Sequence, residues 1–438
     1  MDLNKIARQL GRHRKSSRAI ALLLIATFAG AGLNLGTQVF LARILGVGQF
    51  GYFSAALAFV SLLAPISGFG IAGFWLNAFG REGWEACRWM PGSIRFLAFS
   101  MVAVLSLLFI WAWLGPHDPA MRWMLSILAA TVLGQTALEL AGAKFQLEGR
   151  HSKLAAWQFT QPFLRFIGVL LLFGFVGKKG FCAEHAAWAY VAAALLILII
   201  GGCQIALMLR GKLMLEGHGP APGSMSFLGQ NQPSAGAVAS AAWPFGLAGF
   251  FYLIYFQIDL ILINYIVNEA AVGVYSAAFL IMSAIYLFPG VVYQKFLLPR
   301  LNRWAHHDIA KLQTAYRMGN LIMLLSGVTA MIMLWLLAPF LLTLLFGRDY
   351  QGAVTLILIL ALAVPFRFLA SSAGAMLVTG NHMRLKVRLM GCAAVLNIFL
   401  NLIFIYLYGV IGAAASTVFT EMFVMIMYIV ASKKLVFH

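Results

Sequence analysis

The chain has 438 residues, of which 62% are hydrophobic and only 10% charged, and a formal net charge of +18. A soluble domain carries about 25% charged and about 45–50% apolar residues, so this composition excludes a water-soluble globule and makes lipid the solvent for self-satisfied helices. The positive excess is spread over short loops between apolar segments, which argues against a nucleic-acid face.

Residues 1–18, "MDLNKIARQLGRHRKSSR", form a basic amino-terminal segment. Leu3, Ile6, Ala7 and Leu10 share one helical face with Lys5, Arg8 and Arg12 off it, which fits an interfacial helix on the cytoplasmic leaflet or a solvated basic tail. The apolar run that follows continues past Val39 with no cleavage site at signal-peptide length, so it reads as a retained first span. Stretches long enough to cross a bilayer fall near 19–43, 50–79, 96–115, 121–142, 154–177 and 186–209. A Gly/Pro/Ser-rich stretch, "EGHGPAPGSMSFLGQNQPSAG", interrupts them, and they resume near 238–266, 272–297, 317–346, 352–379, 388–409 and 411–432. The expectation is an all-α integral membrane protein of about twelve spans. It is divided into an N-lobe (19–210), a cytoplasmic linker (211–237) and a C-lobe (238–438).

Of the 31 Lys and Arg, 24 fall on the side that holds the amino terminus and five on the other. Both termini are therefore expected in the cytoplasm. Arg165 and Arg367 lie within spans.

The chain repeats itself. At an offset of 222, Gly51 falls on Gly273 and Ser54-Ala55-Ala56 on Ser276-Ala277-Ala278. At an offset of 231, Gly149 meets Gly380, His151 meets His382 and Leu154 meets Leu385. Six spans separate the copies, so both enter the membrane the same way round, as parallel repeats related by an axis along the membrane normal. Two six-helix lobes with a cleft between them, able to rock, are the architecture of a transporter.

A charge near the bilayer centre costs about 2.5–3.5 kcal/mol and needs a cavity or a partner. On span five, Gln158, Gln161, Arg165 and Gly168 follow at helical steps, and span four offers Gln135, Glu139, Gly142 and Gln146. Span one adds Thr27, Asn34 and Gln38, span seven Tyr252, Tyr255 and Asp259, span ten Arg367 and Ser371, span eleven Asn397 and Asn401, and span twelve Glu421. The lumenal reading makes Arg165, Arg367, Gln161, Gln158, Asn34 and Gln38 substrate contacts, and Asp259, Arg43, Glu139 and Glu421 ion or gating residues. The structural alternative pairs Arg165 with Glu139, Arg367 with Glu421 and Asp259 with Arg43 only to hold helices together. Pro65 and Pro289 lie within spans as kinks and candidate hinges. Cys87, Cys182, Cys203 and Cys392 are scattered without metal-ligand spacing, and His306-His307 cannot share a helix face, so no metal site is expected. No phosphate loop or nucleophile elbow is present, so the chain is not expected to be an enzyme, and any drive is an ion gradient, the substrate gradient or a partner.

"FLARILGVGQFGYFSAALAFVSLLAPISGFGI", "QIDLILINYIVNEAAVGVYSAAF" and "AMLVTGNHMRLKVR" resemble the polysaccharide-transport family of Wzx-type lipid-linked oligosaccharide flippases. That family lies within the multidrug/oligosaccharidyl-lipid/polysaccharide exporter superfamily. The resemblance implies a bacterial or archaeal cytoplasmic membrane and a polyprenyl-pyrophosphate-linked glycan moved from the inner to the outer leaflet. That glycan would be a repeat unit of a lipopolysaccharide or exopolysaccharide. The protein would act as a monomer, with Na+ or H+ as candidate coupling ions and polymerase or assembly proteins as candidate partners. Asp259 and Arg43 are carried over as motif positions without a defined role. An ion-coupled multidrug or small-cation antiporter and a non-transporting assembly scaffold are the alternatives, though two mid-span arginines disfavour the antiporter.

Overall fold

Hydrocarbon offers no hydrogen bonds, so a chain that crosses it must pair its backbone groups within each segment. The computed structural model describes residues 3–219, 232–297, 301, 304, 308–379 and 383–436, and among these the chain forms helices and no strand. Among the described residues, nine helices are long and apolar enough to cross a membrane, ten when the bent pair Ala353–Ala361 and Ala363–Val378 is taken as one. The first of them, Ala21–Leu114, runs for 94 residues. At about 1.5 Å per residue it would span several bilayers. It is three passes joined end to end.

The breaks are legible in the backbone. The helix Leu3–Gly68 is interrupted at Gly46, whose φ of 71° and ψ of 175° lie outside helical space and would strain any other residue. A second break at Phe69 and Gly70, both with positive φ, separates it from Ile71–Glu82. A 3₁₀ turn, Gly83–Trp89, then leads into Met90–Leu114. Spans one, two and three are thus residues 21–45, 47–82 and Met90–Leu114. Span four is Pro119–Leu128 with Ala130–Leu147, span five His151–Val176 and span six Ala183–Leu209. The C-lobe has Ala235–Ile266, Glu269–Val291, Ile309–Leu345, the bent pair, Met383–Tyr408 and Val410–Val436. Twelve passes result, as the hydropathy requires.

The repeat is visible in the helix ends. Moved by 222, residues 47–68 would cover 269–290, and span eight is Glu269–Val291. Moved by 231, His151–Val176 would cover 382–407, and span eleven is Met383–Tyr408. The bend in span four near Ala129 has its partner in the bend of span ten near Leu362. The position equivalent to Gly46 is Asn268, whose side chain accepts from the Ala271 amide at 2.8 Å and caps span eight. One chain reversal is made by a glycine and the other by a cap.

The lobes meet where the repeated glycines face one another. A Cβ on Gly51 would collide with the Glu269 carbonyl, and one on Gly273 with the Val47 carbonyl. Spans two and eight therefore cross backbone to backbone at this end of the bundle. At the other end the turn at Gly70 rests on Phe245 and Gly246 of span seven. Pro65 lies just before the Gly68–Gly70 break, and Pro289 just before the π-helical turn Val292–Leu297. Of the expected linker, residues 211–219 lie against the N-lobe. There Trp84 Nε1 donates to the His218 carbonyl at 3.2 Å, and Leu213 and Leu215 are buried. Residues 220–231, the repeat partners Gly380 and His382, and His306-His307 lie outside the described residues, as do the side chains of 1–20.

Candidate functional site

Two cavities meet at Arg367. One, of about 310 Å³, lies between the lobes and is lined by Thr27 of span one, Tyr252 and Phe256 of span seven, Tyr286 and Gly290 of span eight, and Arg367. The other, of about 380 Å³, lies inside the C-lobe between spans seven, eight, ten, eleven and twelve. Tyr252, Gly290 and Arg367 line both. Arg367 of span ten lies against Tyr252 of span seven and Tyr286 of span eight, and so borders both spaces.

Arg367 is held in a ring of aromatic faces, with its guanidinium carbon 5.1 Å from the Tyr255 centroid, 5.4 Å from Tyr286 and 5.7 Å from Tyr252. Its Nη1 donates to Glu421 Oε1 at 3.1 Å, and Tyr255 donates to the same oxygen at 2.6 Å. The expected Arg367–Glu421 pair is therefore formed, and Glu421 is almost fully buried.

The other two anticipated pairs are not formed. Arg165 makes no ion pair among the described residues. Its guanidinium instead lies over the ring of Tyr190 at 4.5 Å, while Gln38 Nε2 donates to the Tyr190 hydroxyl at 3.0 Å. Gln38 is thus a buried support for Tyr190 and not an open lumenal contact. Glu139 joins a polar chain instead: Gln161 Nε2 donates to Gln135 Oε1 at 3.1 Å, and Gln135 Nε2 to Glu139 Oε1 at 3.1 Å. Asn34 and Gln158 are exposed.

The sixth helix of each lobe supplies the arginine's partner at equivalent positions, since Tyr190 moved by 231 is Glu421. A phenol ring leaves the N-lobe arginine its full charge, and a carboxylate partly neutralises the C-lobe one.

Arg43 and Asp259 are far from being partners. Arg43 reaches from the end of span one to the carbonyls of Leu344 and Leu345, with Nε to Leu345 O at 2.7 Å, capping the carboxyl end of span nine. Asp259 is buried in the C-lobe core and accepts from Tyr275 at 2.6 Å, Thr417 at 2.8 Å and Asn401 at 2.7 Å. At the repeat-related N-lobe positions stand Thr37, Phe53, Ala186 and Leu170, so this polar core belongs to one lobe alone.

Sequence reasoning missed Tyr190, Tyr286, Tyr275 and Lys386. Tyrosine counts as apolar in a hydropathy sum, and its phenol shows only when packed. Lys386 was expected in a cytoplasmic loop with Arg384 and Arg388. It instead sits one turn into span eleven and lines the C-lobe chamber.

A family profile described as polysaccharide biosynthesis protein matches residues 16–304, more than half of the chain. The chain belongs to the polysaccharide biosynthesis protein family. This family member is 23% identical over 407 residues, covering 92% of the chain and 80% of the relative, to the probable low-salt glycan biosynthesis flippase Agl15 of Haloferax volcanii. It is similar in structure to the lipid II flippase MurJ in its inward closed conformation, with a TM-score of 0.73 at 14% identity over 94% of this chain and 87% of that one. It is also similar to the MATE multidrug transporter DinF-BH, with a TM-score of 0.67 at 16% identity over 96% and 95%. At such identities the likeness establishes the fold, a two-lobed multi-pass membrane protein. These relatives are flippases and transporters, not enzymes.

Proposed function

We propose that this family member moves a polyprenyl-pyrophosphate-linked oligosaccharide from the cytoplasmic to the outer leaflet of a bacterial or archaeal cytoplasmic membrane. The two lobes rock to expose the cleft to each side in turn. The observation that carries the reading is a mid-span arginine in each lobe. Arg165 rests on a ring with no acidic partner among the described residues, and Arg367 opens on the cavity between the lobes. A pyrophosphate presents multiply charged tetrahedral phosphate groups, whose oxygens the planar guanidinium fork binds in bidentate fashion. The flippase names of Agl15 and MurJ support the same substrate class.

An ion gradient of Na+ or H+ supplies the drive, and Asp259 is the acid we assign to it. It has no cationic side chain among its hydrogen-bond partners, and its three donors all lie on C-lobe helices. Asp259→Asn is expected to leave the fold intact and remove any dependence of flipping on an imposed Na+ or pH gradient. A preserved gradient dependence in proteoliposomes would reject the assignment.

For the flippase reading, Arg165→Ala and Arg367→Ala are each expected to abolish surface glycan at unchanged protein level. Unchanged surface glycan in both variants, scored by lectin or antibody binding to intact cells, would sink it.

A further inference from the structure

The chamber inside the C-lobe is not needed for a cleft between lobes, yet it is the larger of the two spaces. Its volume of about 380 Å³ is that of a small-ligand pocket. Among the described residues, Arg367 and Lys386 are the only charged side chains in its wall, and no acid lines it. Gly374 of span ten lets the Tyr428 ring close on this wall, since an added Cβ would stand 3.0 Å from that ring, and Lys386 Cε lies beside it at an ordinary contact distance of 3.9 Å. Lys386 has no hydrogen bond or ion pair among the described residues, whereas Arg367 holds Glu421. Two cations around one chamber, of which only Arg367 is paired with a carboxylate, leave net positive charge in a medium where unpaired charge is expensive.

The chamber also has a direction. Lys386 stands at the start of span eleven, on the face that the charge distribution assigns to the cytoplasm, and Arg367 stands deeper, where the chamber joins the inter-lobe cavity. Tyr252, Tyr255, Tyr293 and Tyr428 add ring faces and hydroxyls, groups suited to sugar.

We propose that this chamber is a second anion site, in which Lys386 and Arg367 together take the pyrophosphate head of the substrate before it enters the cleft between the lobes. The proposal rests on the flippase reading and adds a loading position to it. Glu421 is the tethered anion that holds Arg367 in place when the chamber is empty, and the incoming head displaces it. Lys386 binds as a compact point charge from one end and Arg367 as a flat fork from the other.

The test uses the full-length protein in lipid nanodiscs and two probes, farnesyl pyrophosphate and inorganic pyrophosphate. Lys386 is modified with an amine-reactive reagent and its labelling read by peptide mass spectrometry, with the other lysines as internal controls. Farnesyl pyrophosphate is expected to protect Lys386. Protection by inorganic pyrophosphate as well means the charged head suffices, and protection by the prenyl compound alone means the lipid is read too. Protection by inorganic pyrophosphate only would overturn the substrate-head assignment, and protection by neither would overturn the site. Lys386→Gln is expected to weaken farnesyl pyrophosphate binding about 10- to 100-fold, the range for losing one charge-assisted contact, and Lys386→Arg to retain most of it. An unchanged affinity in Lys386→Gln sinks the proposal, while loss of glycan in Arg367→Ala would still support the flippase reading. Protection of Lys386 with normal glycan in both arginine variants would instead keep the anion site and remove the flippase reading.

Discussion

Single side chains decide which charges in this membrane protein are available. Arg165 and Arg367 carry the same group at similar depth in equivalent lobes, but one lies on a phenol ring and the other on a carboxylate. A ring attracts a cation without cancelling it, whereas a buried carboxylate both cancels it and depends on it. Glu421→Ala should therefore lower unfolding free energy by about 3–5 kcal/mol, the cost of leaving a buried charge uncompensated. Thermal unfolding in detergent micelles checks this, and a variant as stable as the parent would show that Arg367 finds solvent without Glu421. The arginines themselves were legible in the sequence because a charge in a twenty-residue apolar run stands out. Their partners were not. Glu139 is at least as conspicuous as Tyr190, and only the packing of spans five and six shows that Arg165 lies on the ring.

At the scale of elements, spans two and eight give the repeated phrase its physical meaning. The sequence shows Gly51 and Gly273 as matching positions at the start of matching helices. The structure shows that they face each other across the lobe boundary, each where a Cβ would enter the partner's backbone. The repeated glycine pair is thus part of the seam between the lobes. Gly51→Ala should push these helix ends apart and favour the state in which this end is open. Overpacking of about 1–3 kcal/mol corresponds to a population shift of about 5- to 150-fold. Pulsed electron-resonance distances between spin labels at the ends of the two lobes measure that shift, and an unaltered distance distribution would show the seam can absorb the methyl group.

On the scale of the whole molecule, the seam is reinforced by a reciprocal exchange. Arg43 and Tyr265 are equivalent positions at the offset of 222, and each crosses to the other lobe. Arg43 caps the end of span nine. Tyr265 enters a box after span three, within 3.3 Å of Trp111 Nε1 and of His117 Nε2 and edge-on to Phe59. His117 is buried in the loop that follows span three, and burial lowers its pKa, against the opposing pull of Asp118 and with a small contribution from Arg122. The closed box thus prefers neutral His117. Above the ordinary value near 6.5 this preference has no pH dependence, and the closed state loses favour as pH falls below it. Acidification from about pH 7.5 to about pH 5 should open this end, and His117→Phe should remove the response. The same spin-label distances check it, and an identical pH response in the variant would place the sensor elsewhere.

The sequence by itself determined the solvent, the twelve spans and the two-lobe repeat. Hydropathy over a twenty-residue window and an offset between two halves are properties of the chain read in one dimension. Only the tertiary structure decided which of the charges are paired, which line a cavity and where the lobes touch. Those depend on the rotation of each helix about its axis and on its neighbour, so Asp259 is fixed by Asn401 and Thr417 from two spans far along the chain. Lys386 shows the same limit. Its composition places it in a loop, and the packing of spans ten, eleven and twelve places it in the chamber wall.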